Sequence, residues 1–127
     1  MVEELETRYN NLKESIGEET KETLDVMVTL ANMHVINKNY DVAFNTLKYA
    51  YDIQLELFGE NSRDTIHTLD SLGRLFLDKK DYEEAKTYFE KSFKLKEKTY
   101  NEKEIKEAKK ELEDFYKNIS GEWYYVF

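Results

Sequence analysis

The residues that could carry out acid–base or metal chemistry are few, and their spacing suits neither. His34 and His67 are the only histidines, and cysteine is absent. Neither histidine has a second ligand at the short spacing that zinc sites use, so no metal site is expected. The carboxylate pairs Glu18-Glu19 and Glu83-Glu84 are adjacent in the chain, and neighbouring residues on a helix do not face each other. We therefore expect no catalytic acid–base pair.

Motifs of the large enzyme classes are missing as well. The chain has no nucleophile elbow, no phosphate-binding glycine loop and no dinucleotide fingerprint. These observations predict a protein that is not an enzyme and that uses no cofactor.

Charge and hydropathy argue against two classes of partner. The chain has 19 Lys and Arg against 27 Asp and Glu, a net charge of −8, and residues 1–60 hold 5 basic and 12 acidic side chains. Such a surface repels a phosphate backbone, so nucleic acid is not an expected partner. No apolar run approaches the roughly 18 residues of a membrane span, and the acidic N-terminus does not resemble a secretory signal. We expect a cytoplasmic protein with no membrane contact.

A period of 42 residues runs through the chain. Shifting the sequence by 42 aligns similar residue types at turns, at small contact positions and at core positions, namely Gly17/Gly59, Thr23/Thr65, Leu30/Leu72, Tyr40/Tyr82, Ala43/Ala85 and Tyr51/Phe93. A fixed period in this range is typical of stacked helical repeats. A single pair of helices cannot bury both of its apolar stripes, so neighbouring pairs stack over a continuous core.

Helical periodicity, abundant helix formers and the absence of proline predict an all-α fold. The predicted helical-hairpin solenoid covers residues 1–118 in four units: a half repeat at 2–16, repeats at 17–58 and 59–100, and a half repeat or cap at 101–118. We predict five antiparallel helices, followed by an aromatic C-terminal tail at 119–127. The opening half repeat is expected to be either a capping helix or part of a longer array.

Turn residues predict where the helices begin and end. Gly17 and Gly59 suit the ends of helices because glycine adopts positive φ at low cost. Polar residues that suit helix starts precede the other apolar stripes. They are Thr20, Asn39 and Ser62, with the pairs Asp81/Glu84 and Asn101/Glu104 at capping-box spacing.

The alternation of large and small residues resembles the tetratricopeptide repeat, most closely its 42-residue kinesin-light-chain type. The first copy reads Met27, Leu30-Ala31, His34, Ala43, Leu47 and Ala50, and the second reads Leu69, Leu72-Gly73, Phe76, Ala85, Phe89 and Ser92. The turn at 59–65 is similar to that type's junction but lacks its His and Pro. His34 replaces an aromatic residue, and at this core position a packed histidine is expected.

The resemblance implies a protein–protein interaction scaffold that binds a peptide or a partner helix in a concave groove lined by the first helix of each repeat. The implied groove positions flank the pair of Leu and a small residue, and are Asp25, Val28, Asn32, Val35, Ile36, His67, Asp70, Arg74, Leu77 and Asp78. Asn32 could bond a peptide backbone through both its amide donor and its acceptor, and Arg74 could clamp a carboxylate. Lys109, Leu112 and Tyr116 would extend the groove floor.

The final segment differs from the helices, because its last five residues are all aromatic or β-branched. Its aromatic side chains are Trp123, Tyr124, Tyr125 and Phe127. Three roles are open: a cap on the last hairpin, a ligand for the groove of its own or a neighbouring molecule, or an assembly contact. A homo-oligomer formed through the tail or the open array ends is a further expectation. Alternatives to a plain scaffold are a peptide-sensing domain of a larger switch and a self-assembling adaptor whose tail docks on a neighbour.

Overall fold

The fold is all-α across the part of the chain that the structure, a computed structural model, describes: residues 2–17 and 19–120. Within these ranges the helices are α1 Val2–Ile16, α2 Lys21–Ile36, α3 Tyr40–Phe58, α4 Arg63–Asp78, α5 Tyr82–Thr99 and α6 Glu102–Ser120. The predicted fold class is confirmed, and the predicted count of five helices is wrong. Each half repeat forms one complete helix in addition to the four helices of the two full repeats, so the described residues form six.

The last helix is longer than the sequence indicates. It continues to Ser120, past the predicted end at 118. The expectations for the aromatic tail, including Trp123, Tyr124, Tyr125 and Phe127, fall on residues 121–127 and lie outside the described residues.

Successive helices pack on each other along the whole chain, from α1 on α2 to α5 on α6, and α2 also contacts α4. This order is that of stacked helical hairpins. The helices that open the repeats, α2, α4 and α6, are called the A helices below, and α1, α3 and α5 the B helices.

The core between the helices consists of two clusters of buried residues, and Tyr88 packs against both. Its largest cluster contains buried residues from α2, α3 and α4, among them Leu24, Met27, Ala31, Ala43, Leu47, Ala50, Leu72 and Leu75. An aromatic row crosses the repeat boundary, because the Phe76 ring meets Phe44 edge-on at 5.8 Å and stacks on Tyr88 at 5.6 Å. Helix α1 adds only half-buried side chains such as Tyr9. The centre of the array is therefore the best-packed region.

Most of the predicted helix ends are confirmed. Gly17 and Gly59 have φ of +93° and +83°, and each follows the last residue of a helix. Thr20 and Ser62 are N-caps whose hydroxyl oxygens accept bonds from backbone N–H groups of the first turn. Asn39 precedes α3 but makes no side-chain cap bond.

The A helices of both full repeats end in the same turn, which residue types alone do not reveal. Lys38 and Lys80 adopt positive φ of 66° and 64°. After α4, the Asp81 N–H donates to the Phe76 carbonyl at 2.8 Å and the Lys80 N–H donates to the Leu77 carbonyl at 2.9 Å. These two bonds define a Schellman motif, which turns the chain sharply from an A helix into a B helix.

The same turn explains why one predicted cap does not form. A capping box would need the Asp81 N–H as a donor to Glu84, but that N–H already bonds Phe76. Asp81 makes no side-chain cap bond either. At the start of α6 the predicted box does form: the Glu104 N–H donates to Asn101 Oδ1 at 2.8 Å and the Asn101 N–H donates to Glu104 Oε1 at 3.2 Å.

Candidate peptide-binding site

A cavity of about 400 Å³ between α4, α5 and α6, here called the large cavity, brings together three of the predicted groove residues, Asp70, Arg74 and Leu77. Its volume lies within the roughly 300–1,000 Å³ typical of ligand pockets. The side chains that line it beside these three come from α5 and α6, and are Phe89, Phe93, Lys96, Ala108, Glu111, Leu112, Asp114, Phe115 and Asn118.

The floor of the large cavity is aromatic. Phe89 and Phe115 meet edge-on, with ring centroids 4.9 Å apart. Phe89 lies so close to α4 that a Cβ on Gly73 would come within 2.7 Å of its ring. Only glycine at position 73 therefore leaves Phe89 where it is, and Gly73 sets the shape of the floor.

Two cationic side chains line the large cavity, Lys96 and Arg74, and they differ in whether a carboxylate is paired with them. Lys96 Nζ lies 2.7 Å from Asp70 Oδ2, and the two side chains are only 13% and 15% exposed. Arg74 is exposed and has no hydrogen-bond or ion-pair partner among the described residues. A guanidinium in this state can form a two-pronged bond with a carboxylate, whereas the Lys96 ammonium is already paired.

An ion pair joins α4 and α6 near their starts, outside the residues that line the large cavity. Arg63 donates from Nη1 and Nη2 to the two carboxylate oxygens of Glu104, at 2.8 and 2.7 Å. The Arg63 guanidinium also lies 4.1 Å from the centroid of the Tyr100 ring. The bonds from Arg63 and then from the Asn101 N–H lower the pKa of Glu104 from 4.5 to about 2.

A second, smaller cavity of about 130 Å³ lies between α2 and α4 and contains the predicted residues Asp25, Val28 and His67. The Asp25 carboxylate in this cavity is already paired, because Lys21 Nζ lies 2.9 Å from Asp25 Oδ2. That hydrogen bond is the largest cause of the raised pKa of Lys21. The small cavity thus has an internally paired carboxylate and little free volume.

The other four predicted positions line neither cavity. Asn32 is half-buried on α2, and Ile36 is 68% exposed at the end of that helix. Asp78 is already bonded, because it accepts from the Tyr40 hydroxyl and pairs with Lys38 Nζ at 3.0 Å. These two contacts, the Tyr40 bond first, lower the pKa of Asp78.

The expected exposure of two groove positions is corrected. Val28 and Val35 are only 4% and 9% exposed, and both belong to the main core cluster. They continue the stripe of Leu24 and Ala31, at spacings of four, three and four residues, which is the buried face of α2. Both valines therefore face the core, and Val28 also borders the small cavity. Their spacing from Leu24 was the signal that could have placed them there.

Residues from the second helix of the repeat and from α6 complete the site, and the sequence indicated only Leu112 among them. Phe89 and Phe93 match the repeat's core positions, so sequence reasoning assigned them to packing alone. Tyr116 does not extend the floor, because its hydroxyl donates to Glu90 on α5. Burial, followed by this bond, raises the pKa of Tyr116 to about 12. Lys109 is exposed and does not line the large cavity.

Neither histidine belongs to a cluster of metal-binding side chains within the described part of the chain. His34 is half-buried, with Nδ1 3.5 Å from Asn39 Nδ2, and His67 is exposed. No group of three or more His, Cys, Asp or Glu side chains in residues 2–17 and 19–120 could hold a metal ion. None of the helices in those ranges is long and apolar enough to cross a membrane.

Comparison with known proteins identifies the class. The family model of the tetratricopeptide repeat matches residues 22–98, more than half of the chain. The chain therefore belongs to the tetratricopeptide repeat family, whose members are generally non-catalytic protein–protein interaction modules. No curated protein matches the chain.

Proposed function

We propose that this chain binds a peptide segment of a partner protein in the large cavity, with α4 and α6 on either side of the peptide. The observation that carries the proposal is an aromatic floor next to Arg74, an exposed guanidinium without a partner among the described residues. The floor can bury a large apolar side chain, and Arg74 can bond a carboxylate. The expected ligand is a peptide with a large apolar residue close to an acidic one.

The repeat supports an extended ligand rather than a small molecule. Asn32 occupies the position of Arg74 one repeat earlier, and its amide can bond a peptide backbone. The small cavity lies between the same two helices, α2 and α4, nearer their starts. A peptide anchored in the large cavity can therefore continue along the A helices toward α2.

The 42-residue period and the turn that follows Gly59 support a kinesin-light-chain type of repeat. In that type the A helices accept extended peptides, which agrees with the ligand proposed here. The turn lacks the His and Pro that are usual in this type. Gly59, with a φ of +83°, is the residue that allows the chain to turn here.

Panning a phage-displayed peptide library on the immobilised full chain tests the proposal. We expect the selected peptides to share a large apolar residue beside an acidic one. Arg74→Glu removes a charge-assisted bond and should weaken their binding about tenfold. Leu112→Glu places a charge in the apolar floor and should weaken binding by about tenfold or more.

Val42→Glu provides the matched control. Val42 is exposed on α3, does not line the large cavity, and its substitution adds the same charge as Leu112→Glu. Helical circular dichroism verifies that each variant is folded. Selected peptides that bind Arg74→Glu and Leu112→Glu as tightly as the wild type would place the binding site elsewhere and reject the proposal.

A further inference from the structure

We infer that residues 121–127 of the same chain occupy the large cavity, with Trp123 on its aromatic floor, and that this segment competes with the partner peptide. The competition rests on the function proposed above, whereas the docking of the tail does not. The inference starts from α6, which both lines the cavity and leads directly into the tail.

The large cavity extends along α6 to Asn118, two residues before that helix ends at Ser120. The α6 residues that line it follow one helical face, and are Ala108, Glu111, Leu112, Phe115 and Asn118. Gly121 follows Ser120 in the sequence, and glycine readily adopts the positive φ that reverses a chain at a helix end. The sequence thus provides a residue suited to a turn three positions after Asn118, the last residue of α6 that lines the cavity.

The distances are short enough for Trp123 to reach the floor. Three residues beyond Ser120 span about 10 Å when extended. Along the helix axis, Phe115 lies about 8 Å and Leu112 about 12 Å before Ser120. Because the turn itself uses part of that length, a reversed segment brings the Trp123 backbone level with the last turn of α6, from which its long side chain can reach Phe115. The following aromatic residues then come level with Leu112.

The chemistry of the tail matches the chemistry of the cavity. An indole ring packs favourably edge-on or offset against phenyl rings, which Phe89, Phe93 and Phe115 supply. Glu122 precedes Trp123, and Arg74 on the facing wall is a cation without a partner among the described residues. The tail therefore has an apolar residue that the aromatic floor can bury and an adjacent acid that the Arg74 guanidinium can bind.

Trp123 is the only tryptophan in the chain, so its fluorescence tests the docking directly. In the wild-type full chain we expect a blue-shifted emission maximum and weak quenching by acrylamide. Leu112→Glu should shift the emission to the red and increase quenching, and Arg74→Glu should do so to a smaller extent. The control Val42→Glu should leave both readouts unchanged.

Three results would overturn the inference. The first is solvent-like emission and strong quenching in the wild type. The second is a protected Trp123 that does not respond to Arg74→Glu or to Leu112→Glu; the exposed position of Arg74 keeps this test valid if Leu112→Glu fails to fold. The third is a Trp123 signal that weakens on dilution together with a dimeric mass in light scattering, because the tail would then dock in a neighbouring molecule.

Peptide binding separates the failure of this inference from the failure of the proposed function. If the tail occupies the cavity about nine-tenths of the time, Trp123→Ser should bind a library-selected peptide about tenfold more tightly than the wild type. If wild type and Trp123→Ser bind the peptide equally tightly and Trp123 is exposed to solvent, tail docking is rejected and the proposed function is retained. A second combination of results has the opposite meaning: Trp123 is protected in the wild type, and neither the wild type nor Trp123→Ser selects any peptide from the library. That combination supports tail docking and rejects peptide binding.

Discussion

Gly73 and Phe89 decide how closely α4 approaches α5. The equivalent pair one repeat earlier is Ala31 and Leu47, so a smaller residue on the A helix is matched by a larger one on the B helix. The exchange keeps the helix pair packed while extending an aromatic ring to the floor of the large cavity. Sequence alignment of the two repeats predicts that these positions touch, but not that the ring also reaches a cavity.

A Gly73→Ala substitution should destabilise the fold. Alanine favours a helix by about 1 kcal/mol over glycine, but its Cβ would lie 2.7 Å from the Phe89 ring. Overpacking of this kind costs about 1–3 kcal/mol, so a net loss of about 1 kcal/mol is expected from denaturant unfolding. Adding Phe89→Leu recreates the Ala31–Leu47 combination and should recover part of that loss. Strictly additive effects of the two substitutions would contradict this account of the contact.

Glu104 should make the stability depend on pH in the acidic range. Its pKa in the folded chain is about 2 against an ordinary value of 4.5, so protonation is harder in the folded state. The stabilisation is fully present above pH 4.5 and is lost as the pH falls toward 2. Glu104→Gln keeps an acceptor for the Asn101 N–H but removes the charge that binds Arg63.

The measurement for Glu104 is the free energy of unfolding of wild type and Glu104→Gln between neutral pH and pH 2. The gap between the two proteins should be constant above pH 4.5 and should narrow below it. Glu107→Gln, which removes an exposed carboxylate elsewhere on α6, is the matched control. A gap that stays constant down to pH 2 would mean that the Arg63–Glu104 contact is not stabilising.

At the level of helices, the sequence predicts which segments are helical better than how they are joined. The polar residues that suit helix starts, Thr20, Asn39, Ser62 and Asp81, each directly precede one of the helices α2 to α5, which is within the usual uncertainty of helix ends. The turns after α2 and α4 could not be anticipated, because they use lysine at positive φ. The absence of the Asp81/Glu84 box follows from that turn, since tertiary geometry occupies the N–H that the box requires.

Lys80→Gly should stabilise the protein. A side chain at a φ of 64° costs roughly 1–2 kcal/mol, part of which glycine regains and part of which its larger unfolded-state entropy offsets. A gain of up to about 1 kcal/mol in the free energy of unfolding is expected. Lys86→Gly, at an exposed position inside α5, should instead destabilise by about 1 kcal/mol. A loss of stability in both variants would show that the turn after α4 is not strained.

In the molecule as a whole, α2 and α4 carry the predicted groove positions, and α5 and α6 complete the large cavity. The family pattern predicted Asp70, Arg74 and Leu77 as groove residues, and all three line one cavity. The family pattern could not predict that the groove positions of the second repeat line a larger cavity than those of the first, because cavity volume depends on the packing of the surrounding side chains. The small cavity is crowded by Gln54, which accepts from the Thr68 hydroxyl at 2.6 Å.

The central claim is that a partner peptide binds in the large cavity. Backbone amide shifts of the ¹⁵N-labelled full chain, recorded while the most enriched library peptide is added, test it most directly. The predicted result is a set of shifts centred on Arg74 and Leu77 of α4 and on Leu112 and Phe115 of α6. Shifts confined to α1 and α3, with the α4 and α6 signals unchanged, would contradict the claim.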